Sequence, residues 1–163
     1  MAVNMPGGVF YLKKKDIWKI VFAVIITALF ALLSSYFTDT SSEWYMALEK
    51  PSIQPPPIVF AIAWPIIYVL FAASFSVLLI KNKWSGAFLY IINLILTTLW
   101  CVLFFVRHST GSALVLLLII FAFAVYLAIF AYNKSVLAGI LILPYVLWIG
   151  YALAINYGVV LLN

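Results

Sequence analysis

The chain has 163 residues, of which 68% are apolar and 8% charged, and it carries a net charge of +5. That leaves too little polar surface to coat a soluble globule, so the sequence describes an integral membrane protein and excludes a large soluble domain. At roughly 20 apolar residues per span there is room for about five spans, in a single domain covering residues 1–163.

A short basic tail, residues 1–16, places Lys13, Lys14 and Lys15 ahead of the first apolar run, Ile17 to Phe37. Such a tail is a topology signal and a headgroup contact, and nucleic-acid binding is not expected of it. The segment shares its basic and apolar parts with signal peptides, which keeps that rival reading in view. Its apolar part exceeds a typical h-region, however, and no clean small-x-small cleavage site follows.

The next connection, Thr38 to Pro57, is the only long one. It holds Asp39, Glu43 and Glu49, three of the four acidic residues, and Pro51, Pro55, Pro56 and Pro57, four of the seven prolines. Prolines stiffen the approach to the second helix and bring no amide donors that need partners.

The remaining runs are Ile58 to Ile80, Ala87 to Val106, Ala113 to Tyr132 and Val136 to Val160, separated by "KNKWSG", "RHSTGS" and "NKS". They lack the alternation of barrel strands, so the predicted class is all-α, an integral membrane bundle of five transmembrane helices. Cys101 lies inside one run as a small buried hydrophobe, and no intrachain disulfide is possible. With alternate loops on alternate sides, Lys13, Lys14, Lys15, Lys19, Lys81, Lys83 and Lys134 share one side, and Lys50 and Arg107 the other. This bias puts the N-terminus inside and the C-terminus and long loop outside a cytoplasmic membrane, prokaryotic by expectation.

No Asp, Glu or Arg lies well inside a span, and Lys19 is near enough to its helix end to snorkel. Ion-driven transporters usually need a buried ionisable group, so that class is disfavoured. His108, beside Arg107, is an interfacial polar residue or, less simply, an axial ligand or general base; no metal site is visible.

Three helices carry stripes at helical spacing: Phe60, Trp64, Tyr68, Phe71 and Phe75; Tyr90, Asn93, Thr97, Trp100 and Phe104; and Tyr145, Trp148, Ala152 and Asn156. Gly150, Ala154 and Gly158 line the opposite face of the last helix, as expected for close packing. Taken singly, each stripe reads as core or interfacial belt. Trp64, Asn93 and Trp148 nevertheless sit well inside the runs, where belts do not belong. Indoles, phenols and a few neutral hydrogen-bonding groups suit a cavity for a flat, conjugated, apolar ligand.

The segments "WYMALEKPSIQPPPIVFAIAWPIIY" and "LPYVLWIGYALAIN" resemble the translocator protein family, also called tryptophan-rich sensory proteins (TspO/MBR, peripheral-type benzodiazepine receptor-like), across residues 17–160. The resemblance implies a five-helix bundle, often a homodimer, with the 38–57 loop as lid over a ligand cavity. By position it implies ligand contacts at Tyr45, Pro55, Trp64, Asn93, Trp148 and Ala152. It further implies a porphyrin ligand, protoporphyrin IX or a haem-like tetrapyrrole, with no cofactor required, in a membrane receptor-like protein. The alternatives are a transporter of tetrapyrroles or other lipophilic molecules, and an enzyme degrading porphyrin in light through Trp64 and Trp148; no other catalytic residue is implied. Departures from the family pattern are Ile53 in place of Trp, Thr97 in place of Asn and Leu116 in place of an acidic residue. The final segment "AINYGVVLLN" holds Tyr157 without a following Lys or Arg, so weak or no specific cholesterol binding is expected.

Overall fold

The computed structural model describes residues 2–5, 8–11, 14–81 and 83–163, with side chains described at 14 and from 16 onward. Lys13, part of the predicted topology signal, lies outside the described residues. In the tail, strands β1 (Ala2–Met5) and β2 (Gly8–Tyr11) pair antiparallel, Ala2 opposite Tyr11 and Met5 opposite Gly8.

Five helices are long and apolar enough to cross a membrane. They are α1 (Ile17–Phe37), α3 (Pro57–Ile80), α4 (Trp84–Cys101, extended by a π-helical turn Val102–Val106), α5 (Thr110–Lys134) and α6 (Val136–Leu162); a short α2 (Glu43–Ala47) lies in the first connection. At 1.5 Å per residue the shortest span, α1, is about 31 Å long, which matches a hydrocarbon core of roughly 30 Å. The predicted runs fall within three residues of these boundaries, because each apolar run is bounded by charged, polar or proline residues. Pro57 opens α3, where a missing amide hydrogen costs nothing.

The helices form a closed ring in the order α1, α3, α6, α5, α4, with α3 also meeting α4 across the middle. The core between them is aromatic and aliphatic: Phe71, Phe75, Tyr90, Leu94, Leu117, Ile120, Leu127, Ile142, Tyr145 and Ile149 are almost fully buried. Large apolar side chains cover the outside of every span, as a hydrocarbon surround requires.

Buried hydroxyls tie the ring together. Ser34 and Thr98 Oγ atoms lie 2.8 Å apart between α1 and α4, and Ser74 Oγ donates to the Ala138 carbonyl (2.7 Å) while sharing a 2.5 Å hydrogen bond with the Tyr90 hydroxyl. Away from water, each such group would otherwise cost about 1–3 kcal/mol.

Lys19 is buried, with Nζ 2.9 Å from Asp16 Oδ1 at the head of α1. One expectation is corrected here: the small-residue face of α6 is not one packing seam. Gly150 admits Phe121 of α5, but Ala154 is exposed, and Gly158 meets Pro51 of the first connection.

Candidate functional site

The α3 stripe divides by depth. Its inner half is closed core: Phe71 meets Tyr90 and Tyr145 edge-on at 5.0 and 5.1 Å, and Phe75 stacks on Tyr90 at 4.8 Å. The half nearer the long connection is only partly buried and gathers on Trp148 of α6. Phe60 and Trp64 both meet that indole edge-on, at 5.7 and 6.2 Å, Tyr151 lies 5.7 Å away, and Tyr68 stacks on Trp64 at 5.5 Å. Helical spacing therefore brings two predicted indoles from different helices into one aromatic nest; Ala152, one turn further along α6, packs against the main core.

The polar groups come from α4 and α6. Tyr145 donates its hydroxyl proton to Asn93 Oδ1. Thr97 Oγ1 lies 2.9 Å from the Asn93 carbonyl and 3.0 Å from the Tyr145 hydroxyl, and its single proton serves one or the other. One turn towards the lid, Trp100 Nε1 donates to Asn156 Oδ1 (3.1 Å), and Asn156 Nδ2 donates to the Thr110 carbonyl (3.2 Å). Two donors of the predicted set are left over. Asn93 Nδ2 and Trp148 Nε1 are buried and meet no acceptor among the described residues; Thr27 Oγ1 on α1 is a third such atom. A buried donor without a partner costs about 1–3 kcal/mol, so these groups are poised to reward an acceptor brought in by a ligand.

The connection 38–57 closes one end of the ring. Ser41 donates its hydroxyl (2.7 Å) and its amide (2.9 Å) to Asp39 Oδ1, which holds the Asp39 carboxyl below its usual range; this support is present above the unfolded pKa and is lost as pH falls through the folded one. Ser42 caps α2 by accepting from the Tyr45 amide at 3.3 Å. On α2, Trp44 stacks on His108 with ring centres 4.2 Å apart and planes 9° apart, and Tyr45 tilts against Phe105 of the π-helical turn at 5.5 Å. His108 sits in the left-handed backbone region with φ 52°, its ring stacked on Trp44.

Further along, the Glu49 amide donates to Asn163 Oδ1 (3.0 Å), Asn163 Nδ2 donates to the Glu49 carbonyl (3.1 Å), and the Tyr151 hydroxyl donates to the Ile53 carbonyl (2.5 Å). Gln54 Nε2 donates to the Tyr45 hydroxyl at 3.3 Å, and Lys50 Nζ lies 4.7 Å from the centre of the Tyr45 ring. The loop is thus a fastened cover over the end of the bundle.

Open volume next to the nest lies to the side. A groove of about 630 Å³ runs between α3 and α6, lined by Val59, Ile62, Ala63, Ile66, Ile67, Pro144, Leu147 and Trp148. Its rim residues Ile62, Ile66 and Leu147 are 56, 53 and 74% exposed, so it faces outward from the ring.

The predicted residues therefore separate into several places. Trp64 and Trp148 meet in the nest, Ala152 packs against the main core, and Asn93 lies buried on α4, bonded to Tyr145 of α6. Tyr45 packs on the end of α4, and Pro55 is half-buried where the lid joins α3. Sequence reasoning had no means of finding the lid fastenings of Asn163 and Tyr151, because their partners are backbone atoms remote in sequence. The groove escaped it too, since its shape depends on which helices are neighbours. Among the described residues no group of three His, Cys, Asp or Glu side chains gathers to hold an ion.

Residues 22–162 match the model of the TspO/MBR family. The chain is 30% identical to the protein CrtK of Rhodobacter capsulatus over 125 residues, covering 74% of this chain and 78% of the relative. It is 29% identical to the tryptophan-rich protein TspO of Archaeoglobus fulgidus over 152 residues, 91% and 99% of the two chains. The human translocator protein is 32% identical over 122 residues, 70% of this chain and 71% of that one. A five-helix membrane bundle and a family match across nearly all five spans lead to one assignment: this chain belongs to the TspO/MBR family.

Proposed function

We propose that this chain is a receptor-like membrane protein that binds a flat, conjugated, apolar ligand of the tetrapyrrole class against the Trp64–Trp148 nest. The observation that carries the reading is the pair of buried donors without acceptors, Asn93 Nδ2 and Trp148 Nε1, on side chains belonging to an aromatic nest and its facing helix. Indole and phenol rings supply stacking area at little conformational cost, and two fixed donors are enough to select a ligand with acceptor edges over a plain hydrocarbon. The ligand needs no charged partner inside the bilayer, where such a partner is expensive.

A titration of the protein in nanodiscs with protoporphyrin IX, followed by tryptophan fluorescence, tests the reading. Saturable binding, with cholesterol clearly weaker under the same conditions, is the expected result. Cholesterol binding as tight as the porphyrin's refutes the ligand class.

A second reading, light-driven breakdown of bound porphyrin, is favoured by the direct contact of the two indoles at 6.2 Å. Its mark is a new, stable chromophore on illumination, in place of simple bleaching. Replacing both Trp64 and Trp148 by Phe should abolish that product while retaining much of the binding. The lysine bias supports an orientation with the lid outside and residues 81–83 inside.

A further inference from the structure

Two approaches lead to the Trp64–Trp148 pair, and they differ in what must break. Passage under the lid requires opening the paired Glu49–Asn163 hydrogen bonds, the Tyr151–Ile53 bond and the Trp44–His108 stack. The groove between α3 and α6 asks for none of these. It is already open along its rim, its lining is apolar, and Trp148 forms its inner wall as well as one side of the nest.

The backbone on both sides of the groove is also weakened. Pro144 lies in its lining and Pro65 stands between Ala63 and Ile66; each lacks an amide hydrogen, so the carbonyls of Ile140 and Ala61 lose their helical donors. The groove begins at Val59 and reaches Ile67, ten residues after Pro57, which puts its deepest point about 15 Å along α3. Its volume of about 630 Å³ falls within the roughly 300–1,000 Å³ of small-molecule sites.

We infer that the α3–α6 groove is a lateral portal: a flat apolar ligand dissolved in the bilayer enters through it and passes Trp148 into the nest while the lid remains closed. This rests on the ligand class proposed above and adds the route. The occupant is the ligand itself, because the lining has almost no polar surface and the surrounding medium is hydrocarbon, in which such a ligand concentrates.

The experiment follows protoporphyrin IX association by stopped-flow tryptophan quenching in liposomes. Ile66→Phe and Leu147→Phe fill the rim at exposed positions that have room for the larger ring. Each should slow association by about fivefold or more and slow dissociation by a similar factor, leaving Kd nearly unchanged, since a narrowed passage affects both directions alike. In a second arm, a Glu49→Cys/Asn163→Cys variant is oxidised to lock the lid, and its rates should match those of its reduced form. Wild-type rates in both rim variants, or a slowed rate in the locked protein alone, overturn the portal and leave the ligand class standing. Absence of saturable binding in the unmodified protein removes the ligand class, and the portal with it.

Discussion

Replacing Trp148 by Leu separates a ligand wall from a merely structural ring. In the free protein the indole meets Phe60, Trp64 and Tyr151 at 5.7, 6.2 and 5.7 Å. Those contacts already exist in the free protein, so their loss bears on stability. What binding loses is the indole face offered to the ligand and the Nε1 donor that an acceptor on the ligand would meet. A lost stacking contact with some burial amounts to about 1–2 kcal/mol, or roughly 5- to 30-fold in Kd. The assay is a protoporphyrin IX titration in nanodiscs, read from the porphyrin absorbance so that removing a tryptophan does not alter the signal. Far-UV circular dichroism and a thermal melt establish that the variant is folded. Trp18→Leu is the control: Trp18 stacks on Trp84 at 5.3 Å at the opposite end of the bundle, and its loss should leave affinity unchanged. An unchanged Kd in folded Trp148→Leu protein would refute the assignment of Trp148 as a wall.

Other outcomes follow from the packing. A Cβ at Gly139 would lie 2.5 Å from Tyr132 Cβ and 2.6 Å from its Cα, so Gly139→Ala should destabilise the α5–α6 hairpin by about 1–3 kcal/mol, whereas Gly111, with open space around it, should accept Ala at no cost; thermal melts of the two variants decide this. Asn163→Ala removes both hydrogen bonds to Glu49, and hydrogen exchange at residues 49–54 should quicken while the core of α4 is unaffected. A membrane-impermeant thiol reagent should reach Ser42→Cys from outside and Lys83→Cys only from inside; the reverse pattern contradicts the proposed orientation.

Helix positions were legible in this sequence because a bilayer admits few alternatives: an apolar run such as Val136 to Val160, bounded by Ser135 and an exposed end, has to span as a helix. Stripe membership was legible as well, since the four-residue steps from Phe60 to Trp64 to Tyr68 determine a shared face. Partners were not. Spacing alone cannot say that Tyr145 bonds Asn93 or that Asn156 accepts from Trp100, because each pairing depends on which helices become neighbours and how they are rotated. The same limit hid the division of the α3 stripe into a sealed inner half around Phe71 and Phe75 and a half-open outer one around Trp64.

The most direct test of the account is the fate of its two unpartnered donors when the ligand arrives. In ¹⁵N-labelled protein, adding protoporphyrin IX to saturation should move the Trp148 indole N–H and the Asn93 side-chain amide resonances downfield as they gain acceptors, and the Trp18 indole should stay in place. Saturation of the protein with both the Trp148 and the Asn93 resonances unmoved would contradict the binding site proposed here.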